Sequence, residues 1–218
     1  MRSFASVISI LTHPIFIIIY SFFIYFKMDT FFNQMLMIAA PKVYWLLLAF
    51  LLMMVVVFPF ISLFIMSKNK IISSYSIPNR KERLPVLFFM ITYYSMTYYI
   101  FRHWNETLLN LLDPYVSFLF ATILLLVCLF LITTTWKISL HSSSIAGLCG
   151  GIMAEIVAIN EVNNSNTIMI INTLLLVLMG LVCFARIYLK AHTFLQVIAG
   201  LSLGFSLMFV VVYFQWSI

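Results

Sequence analysis

Seven long uncharged runs of mostly apolar residues make up most of the chain, at 3–26, 43–67, 84–101, 114–136, 138–154, 162–185 and 191–218. A helix needs about 20 residues to cross a hydrocarbon core of about 30 Å, so these runs are long enough, or nearly long enough, to span a membrane. Their apolar residues are continuous rather than alternating, which favours helices over a closed barrel. The pattern predicts an all-α fold, a polytopic transmembrane helix bundle of six or seven helices.

The third and fifth runs are the shortest of the seven. The fifth reaches a full span when it is extended through Glu155 to Asn160, which requires the Glu155 carboxyl group to face the interior of the bundle. Charged side chains inside a membrane are costly and are often functional. A displaced helix boundary would instead expose Glu155 to water, and the sequence does not choose between these two interpretations.

The N-terminal run is similar to a signal peptide, but no small-residue cleavage site follows it and the uncharged stretch continues to Phe26. We therefore expect a retained transmembrane helix. In this helix His13 and Pro14 are expected to mark close packing or a kink rather than chemistry. The segment from Met28 to Pro41 is too short to span and is expected to lie in the membrane interface.

Composition excludes several classes of protein. The chain has 218 residues, of which 64% are hydrophobic and only 8% charged, which is typical of an integral membrane protein and not of a soluble domain. The net charge of +6 comes without a basic soluble module, so we expect no nucleic-acid partner. The three cysteines lie in apolar runs without paired spacing, which predicts neither disulfides nor a metal site. No repeat or linker interrupts the chain, so residues 1–218 are expected to form a single integral membrane domain.

Counting the apolar runs places three polar loops on one membrane face. Two crossings precede the loop at 67–83, two more separate it from the turn at 136–141, and another two lead to the turn at 186–192. If all seven runs span, the three loops open on the same face. Their basic and imidazole side chains can then converge: Arg80, Lys81, Arg83, Lys137, His141, Arg186 and His192.

The most informative stretch of the chain is the third of these loops with the helix that follows, residues 185–204. Arg186, Lys190 and His192 cluster there at the mouth of an otherwise uncharged run. Cations beside a titratable imidazole at a membrane edge favour the handling of an anionic headgroup, with His192 as the candidate nucleophile.

This stretch resembles the third motif of the type 2 phosphatidic acid phosphatase superfamily, S-R-x5-H-x3-D. Arg186 and His192 match the arginine and the histidine at the family's spacing, whereas Ala185 replaces the serine. Gln196 stands where the family has aspartate. The continuation at 197–204 is similar to the start of the family's last helix.

The other two loops resemble the family's remaining motifs less closely. The second motif, P-S-G-H, is matched by I-S-L-H, which keeps Ser139 and His141. The first motif, K-x6-R-P, is matched by N-R-K-E-R-L-P, in which one leucine separates Arg83 from the proline and no lysine stands at the family's spacing. The resemblance covers about residues 80–204, which would form a phosphatase-like core after the N-terminal helices.

The resemblance implies a metal-independent hydrolase of phosphomonoesters or pyrophosphates in membrane lipids, with no cofactor. It implies that His192 attacks phosphorus to form a phospho-histidine, that His141 protonates the leaving oxygen, and that Arg186 holds phosphate oxygens. These residue types suit phosphoryl transfer, because guanidinium groups offset charge on the equatorial oxygens and two histidines can divide the roles of nucleophile and acid. Further candidates for substrate binding lie in the first and second loops: Arg83, Arg80, Lys81, Lys137 and Ser139.

Gln196 is the main departure from the family pattern. It lies one helical turn after His192, so its carbonyl oxygen can accept the ring N–H and fix the tautomer. Unlike aspartate, it brings no charge to stabilise an imidazolium.

The sequence therefore supports two functions. The first is a membrane lipid phosphatase of a bacterial inner membrane, which takes an anionic phospholipid or a polyprenyl phosphate from the surrounding lipids. The alternative, favoured by Gln196 and the incomplete first motif, is a catalytically impaired relative that binds or moves an anionic lipid. A transporter is disfavoured, because Glu155 is the one strong candidate for a charge deep inside a helix.

Overall fold

The computed structural model describes residues 1–28, 30–75, 77, 79–103, 113–158 and 165–216. Within these ranges the chain forms no β-strand and ten α-helices: α1 (Arg2–Leu11), α2 (Pro14–Lys27), α3 (Phe31–Ala39), α4 (Pro41–Leu52), α5 (Phe58–Lys68), α6 (Arg80–His103), α7 (Asp113–Thr135), α8 (Leu140–Ala158), α9 (Ser165–Tyr188) and α10 (Phe194–Tyr213). A π-helical segment, Met53–Val57, joins α4 to α5. The all-α prediction is confirmed.

Six helices of the described chain are long and apolar enough to cross a membrane: Pro41–Lys68, Arg80–His103, Tyr115–Thr135, Leu140–Ala158, Asn166–Tyr188 and Phe194–Tyr213. The pair α1 and α2, bent by 61°, would add a seventh as one broken span. The protein is therefore a polytopic helix bundle, as predicted. Helix α3 has nine residues and is too short to span; its location in the membrane interface stays a prediction.

The kink expected at His13 and Pro14 is present as a full break between α1 and α2. Proline has no backbone N–H and cannot continue the hydrogen-bond ladder of α1. The His13 side chain caps the new helix instead, because its Nδ1 accepts a hydrogen bond from the backbone N–H of Ile15 at 3.4 Å. The N-terminal run is thus two helices rather than the single helix predicted.

Helices α8 and α10 pack with their backbones in close contact, and glycines make this possible. A methyl group at Gly204 would overlap the backbone carbonyl of Ser143, and one at Gly150 would lie 2.5 Å from a carbonyl oxygen of α10. The small residues of α8 therefore form a close packing surface for α10. Where the two helices begin, the Ser139 N–H donates to the Gln196 carbonyl at 3.3 Å, which fixes the second loop beside the third.

Glu155 lies inside α8, which continues to Ala158. Its side chain is 1% exposed, and neither carboxyl oxygen has a hydrogen-bond partner within the described ranges. The interpretation that this carboxyl group faces the bundle interior is therefore confirmed. The end of the predicted extension, residues 159 and 160, lies outside the described residues.

Candidate active site

A cavity of about 150 Å³ lies where the three polar loops meet. The arginine and histidine side chains that line this cavity are Arg83, Arg186, His13, His141 and His192. Helices α6 and α8 begin beside this cavity, α9 ends there, and α10 begins there. The convergence of the three loops that was predicted from the apolar runs is confirmed.

The helix ends around the cavity favour an anion. The N-terminus of a helix carries unpaired N–H groups and a positive partial charge. Three helices, α6, α8 and α10, begin at this site. An anionic group placed among them gains from the helix ends as well as from the guanidinium groups.

The turn between α9 and α10 fixes Arg186 and His192 relative to each other. Lys190 adopts a left-handed conformation with φ of 54°. Its N–H donates to the Ile187 carbonyl at 2.9 Å, and the N–H of Ala191 donates to the Arg186 carbonyl at 3.1 Å. This pair of bonds is the Schellman arrangement, which ends a helix and reverses the chain direction. The reversal returns His192 to the cavity next to Arg186.

Gln196 holds His192 in one tautomer. Helix α10 begins with a capping box, in which the Gln196 Oε1 accepts the backbone N–H of Thr193 at 3.2 Å. The same Oε1 lies 3.0 Å from Nδ1 of His192. Because the Thr193 N–H can only donate, the atom that faces it is an oxygen, and Nδ1 must carry the ring hydrogen. The lone pair of His192 is therefore on Nε2.

His192 is uncharged at neutral pH. Its side chain is 7% exposed, and this burial lowers the pKa of His192 to about 4. The hydrogen bond to Gln196 opposes the shift, whereas the charges of the surrounding cations reinforce it. A neutral imidazole is the form that can act as a nucleophile.

Arg83 is the first-loop cation that the structure brings into the cavity. Its side chain is buried, its Nε donates to the Ile77 carbonyl at 3.1 Å, and its Nη1 donates to the Ile138 carbonyl at 3.2 Å. These bonds use two of the five N–H donors of the guanidinium group. They tie the first loop to the second and hold the remaining donors in place for a ligand.

Arg186 has a donor that no described residue satisfies. Its Nε is buried and finds no acceptor within the described part of the chain. Such a group is costly in a folded protein and calls for an explanation, such as an acceptor supplied by a ligand. Its position on the cavity wall makes an anionic ligand the natural acceptor.

No carboxylate of the described residues balances the positive charges at the site. Arg83 and Arg186 act on each other electrostatically, and no described carboxylate acts on either of them. Partial burial lowers the pKa of Lys137, and the nearby Arg83 and Arg186 lower it further. The site thus concentrates positive charge in a partly buried place, which a bound anion would offset.

His141 is held by α1, a part of the chain far away in sequence. Its Nε2 lies 3.1 Å from the backbone carbonyl oxygen of Ser9. A carbonyl only accepts, so Nε2 carries a hydrogen and Nδ1 has the lone pair whenever the ring is neutral. Arg186, His13 and His192 are all coupled electrostatically to this ring, which places it within the same cluster.

The remaining predicted residues lie around this cluster rather than in the cavity lining. Arg80 is partly buried and Lys81 is exposed at the start of α6. Ser139 is fully buried, and its Oγ bonds the Oγ of Ser142 at 2.9 Å at the start of α8. Lys137 is partly buried beside the two arginines. Substrate binding by these four residues stays a prediction.

His13 lines the cavity, although the sequence predicted close packing or a kink at this position rather than chemistry. Its ring lines the cavity and lies against His141, with 5.3 Å between the ring centroids. The signal in the sequence was an imidazole directly before a proline in an otherwise apolar run. That pattern predicted the break in the helix but not the direction in which the break turns the side chain.

The fold and the cavity define an integral membrane protein with a cation-lined site at one end of its helix bundle. Residues 134–218 match the family model of the PAP2 superfamily, a phosphatase-type family. The resemblance found in the sequence is thereby confirmed, and the matched part contains His141, Arg186 and His192. Arg83 and His13 precede it. Comparison with curated proteins and with solved structures gave no match.

Proposed function

We propose that the protein is a membrane lipid phosphatase of a bacterial inner membrane, which hydrolyses a phosphomonoester or pyrophosphate headgroup through a phospho-histidine on His192. The observation that carries the proposal is the tautomer of His192, whose Nε2 lone pair shares a cavity with Arg83 and Arg186. The match to a phosphatase-type family supports it.

In the first step of the proposed reaction, the Nε2 lone pair of His192 attacks phosphorus. A bond forms between nitrogen and phosphorus, the bond from phosphorus to the leaving oxygen breaks, and its electrons stay with that oxygen. Arg83 and Arg186 offset the charge on the equatorial oxygens, which is the main contribution a protein makes to phosphoryl transfer.

His141 is the proposed acid for the leaving oxygen. Since its Nε2–H is held by the Ser9 carbonyl, the proton that it gives must be on Nδ1. The ring then starts as an imidazolium, which the negative charge of a bound phosphate stabilises. After the transfer, the free Nδ1 can accept a proton from the water that attacks the phospho-histidine. The bond from phosphorus to nitrogen breaks, inorganic phosphate leaves, and His192 regains its lone pair.

The apolar part of the cavity supports a substrate with a hydrocarbon tail. Beyond the cations, the cavity is lined by aliphatic side chains of α2, α6, α7 and α8: Ile18, Leu87, Met90, Leu125, Leu129 and Leu148. A phosphate held by the arginines would place its ester-linked chain against this lining. Burial of that chain would favour a lipid over a water-soluble phosphate ester.

The alternative is a relative that binds or moves an anionic lipid without hydrolysing it. Gln196 favours this alternative, because an uncharged amide stabilises a developing imidazolium less than a carboxylate does. The same cavity and cations would serve either function. Phosphate release and a covalent intermediate are the properties that separate them.

The test uses the purified full chain in lipid vesicles with a panel of labelled substrates: phosphatidic acid, a phosphatidylglycerophosphate and a polyprenyl pyrophosphate, each labelled on the terminal phosphate. We expect release of inorganic phosphate from at least one lipid and, after rapid denaturation, label on the protein in an acid-labile, base-stable bond. Binding of the lipids without release or labelling would instead establish the alternative.

Glutamate in place of Gln196 is expected to move the acidic limb of the activity profile to higher pH. The carboxylate would accept the same two N–H groups and would add a charge that favours the imidazolium, so the pKa of His192 would rise above its present value of about 4. A nearby opposite charge shifts a pKa by about 1–3 units. Because the neutral ring attacks, activity would be lost at a higher pH as the solution is acidified.

Alanine at the same position is the matched control for this shift. Gln196→Ala removes the acceptor of the Nδ1 hydrogen without adding charge. It should lower the rate, because the ring of His192 is no longer held in one tautomer. It should not shift the acidic limb to higher pH. The measurement is kcat/KM against pH for both variants and the parent protein. An acidic limb that stays in place in the glutamate variant would contradict the contact between Gln196 and His192.

A further inference from the structure

The break between α1 and α2 supplies the acceptor that holds His141. In an unbroken helix, the N–H of His13 would bond the carbonyl of Ser9. Here it bonds the carbonyl of Ile10 at 3.2 Å, and Pro14 has no N–H to donate. The Ser9 carbonyl is thereby left for Nε2 of His141, at 3.1 Å. The N-terminal helices are thus part of the site's construction, although the family match does not include them.

The same break places the ring of His13 on the cavity wall. The ring stands nearly perpendicular to the ring of His141, with an interplanar angle of 88°. The charge of Arg186 acts on it as it acts on the other imidazoles of the site. His13 therefore shares the cavity and its electrostatic environment with the residues that were predicted to bind phosphate.

One polar atom of His13 has no partner within the part of the chain that the structure describes. Its Nδ1 accepts the N–H of Ile15, so in the neutral ring the hydrogen is on Nε2. Within the described residues no acceptor bonds this Nε2. An N–H donor on the wall of a cation-lined cavity suits an anionic oxygen.

Helix capping alone does not call for an imidazole at this position. Asparagine, aspartate, serine and threonine are the residues that helix N-termini prefer. The cap that His13 makes is long, at 3.4 Å. A smaller capping residue would start α2 equally well but would leave the cavity wall without its donor.

We propose that His13 is a substrate-contacting residue, whose Nε2–H donates to an oxygen of the phosphate group bound in the cavity. The inference rests on the proposed function, because it takes the phosphate of a lipid headgroup as the ligand. It adds a third imidazole, from the N-terminal helices, to the two that the family resemblance identified.

Two substitutions separate the contact from the cap. His13→Asn keeps an oxygen near the position of Nδ1, so it keeps the cap and removes the distal donor. His13→Gln extends an amide N–H toward the position of Nε2 and weakens the cap. We expect His13→Asn to keep the thermal stability of the parent protein and lose at least about tenfold in kcat/KM, the scale of one hydrogen bond to a charged group. We expect His13→Gln to lose stability but to stay within a few-fold of the parent activity.

The opposite pattern would overturn the inference. A His13→Asn protein with parent stability and parent activity would show that the ring serves α2 alone. A His13→Asn protein that loses stability and activity together would assign His13 a structural role. The thermal midpoint of each purified full-length variant is measured beside its kinetics.

Binding of inorganic phosphate keeps this test independent of the hydrolase proposal. If the parent protein binds phosphate in a thermal-shift titration but releases none from the lipid panel, the hydrolase proposal fails alone. In that case, at least tenfold weaker phosphate binding by His13→Asn supports the contact, and equal binding overturns it. A parent protein that neither binds nor releases phosphate would overturn both proposals.

Discussion

Alanine in place of His192 is expected to lower phosphate release by at least about 10⁴-fold, to the uncatalysed background, because it removes the atom that bonds to phosphorus. The fold should survive this change. Gln196 keeps its bond to the Thr193 N–H, so the capping box that starts α10 remains in place. The measurement is phosphate release and labelling of the protein with the best lipid of the panel.

His103 offers a matched control for His192. It is an exposed histidine at the end of α6, where its ring stacks on Tyr99 with 4.4 Å between the centroids. It does not line the cavity, so His103→Ala should release phosphate at the parent rate. Parent-like release by purified His192→Ala, with an unchanged thermal midpoint, would reject the nucleophile assignment.

Run length and spacing in the sequence predicted the architecture because both depend on local physics. A stretch of uncharged residues must become a helix in lipid, where each backbone group needs a partner within its own segment. The number of residues between Arg186 and His192 is likewise just enough for the end of one helix and one tight turn. These features could be predicted without knowing how the helices pack.

The choice among the first-loop cations depended on the helical phase, which the sequence alone did not give. In a helix, Lys81 points roughly 200° away from Arg83, and Arg80 lies roughly 4.5 Å further along the axis toward the loop. Once α6 starts at Arg80, Arg83 is the one of the three that lines the cavity. The start of α6 had to be known before this choice could be made.

The role of the N-terminal helices depended on contacts between distant parts of the chain. Ser9 and His141 meet through a bond from a backbone carbonyl, which carries no signal in the residue type. His13 was correctly associated with a kink, but a kink can turn a side chain toward lipid or toward the bundle. Only the packing of α1 against α9 and of α2 against α8 determines that direction.

Methionine in place of Arg186 is expected to lower phosphate release by about 10²–10³-fold, the usual effect of removing one donor that stabilises transition-state charge. The same change should raise thermal stability in the absence of phosphate. It removes a buried Nε–H donor that has no acceptor within the described residues. It also removes a positive charge that lies close to the cations Arg83 and Lys137. Leaving such a donor unsatisfied costs about 1–3 kcal/mol. Activity and stability would therefore change in opposite directions.

Added phosphate should reverse the order of the two stabilities. The parent protein gains about 2.7 kcal/mol when a ligand is present at about 100 times its Kd. Arg186→Met should gain much less, because the cation that holds the ligand is gone. Arg186→Lys keeps the charge but not the planar fork, so it should be protected by phosphate and remain slow in turnover. Potassium chloride at equal ionic strength controls for screening. If Arg186→Met were less stable than the parent without phosphate and equally protected with it, then Arg186 would support the fold and not the anion.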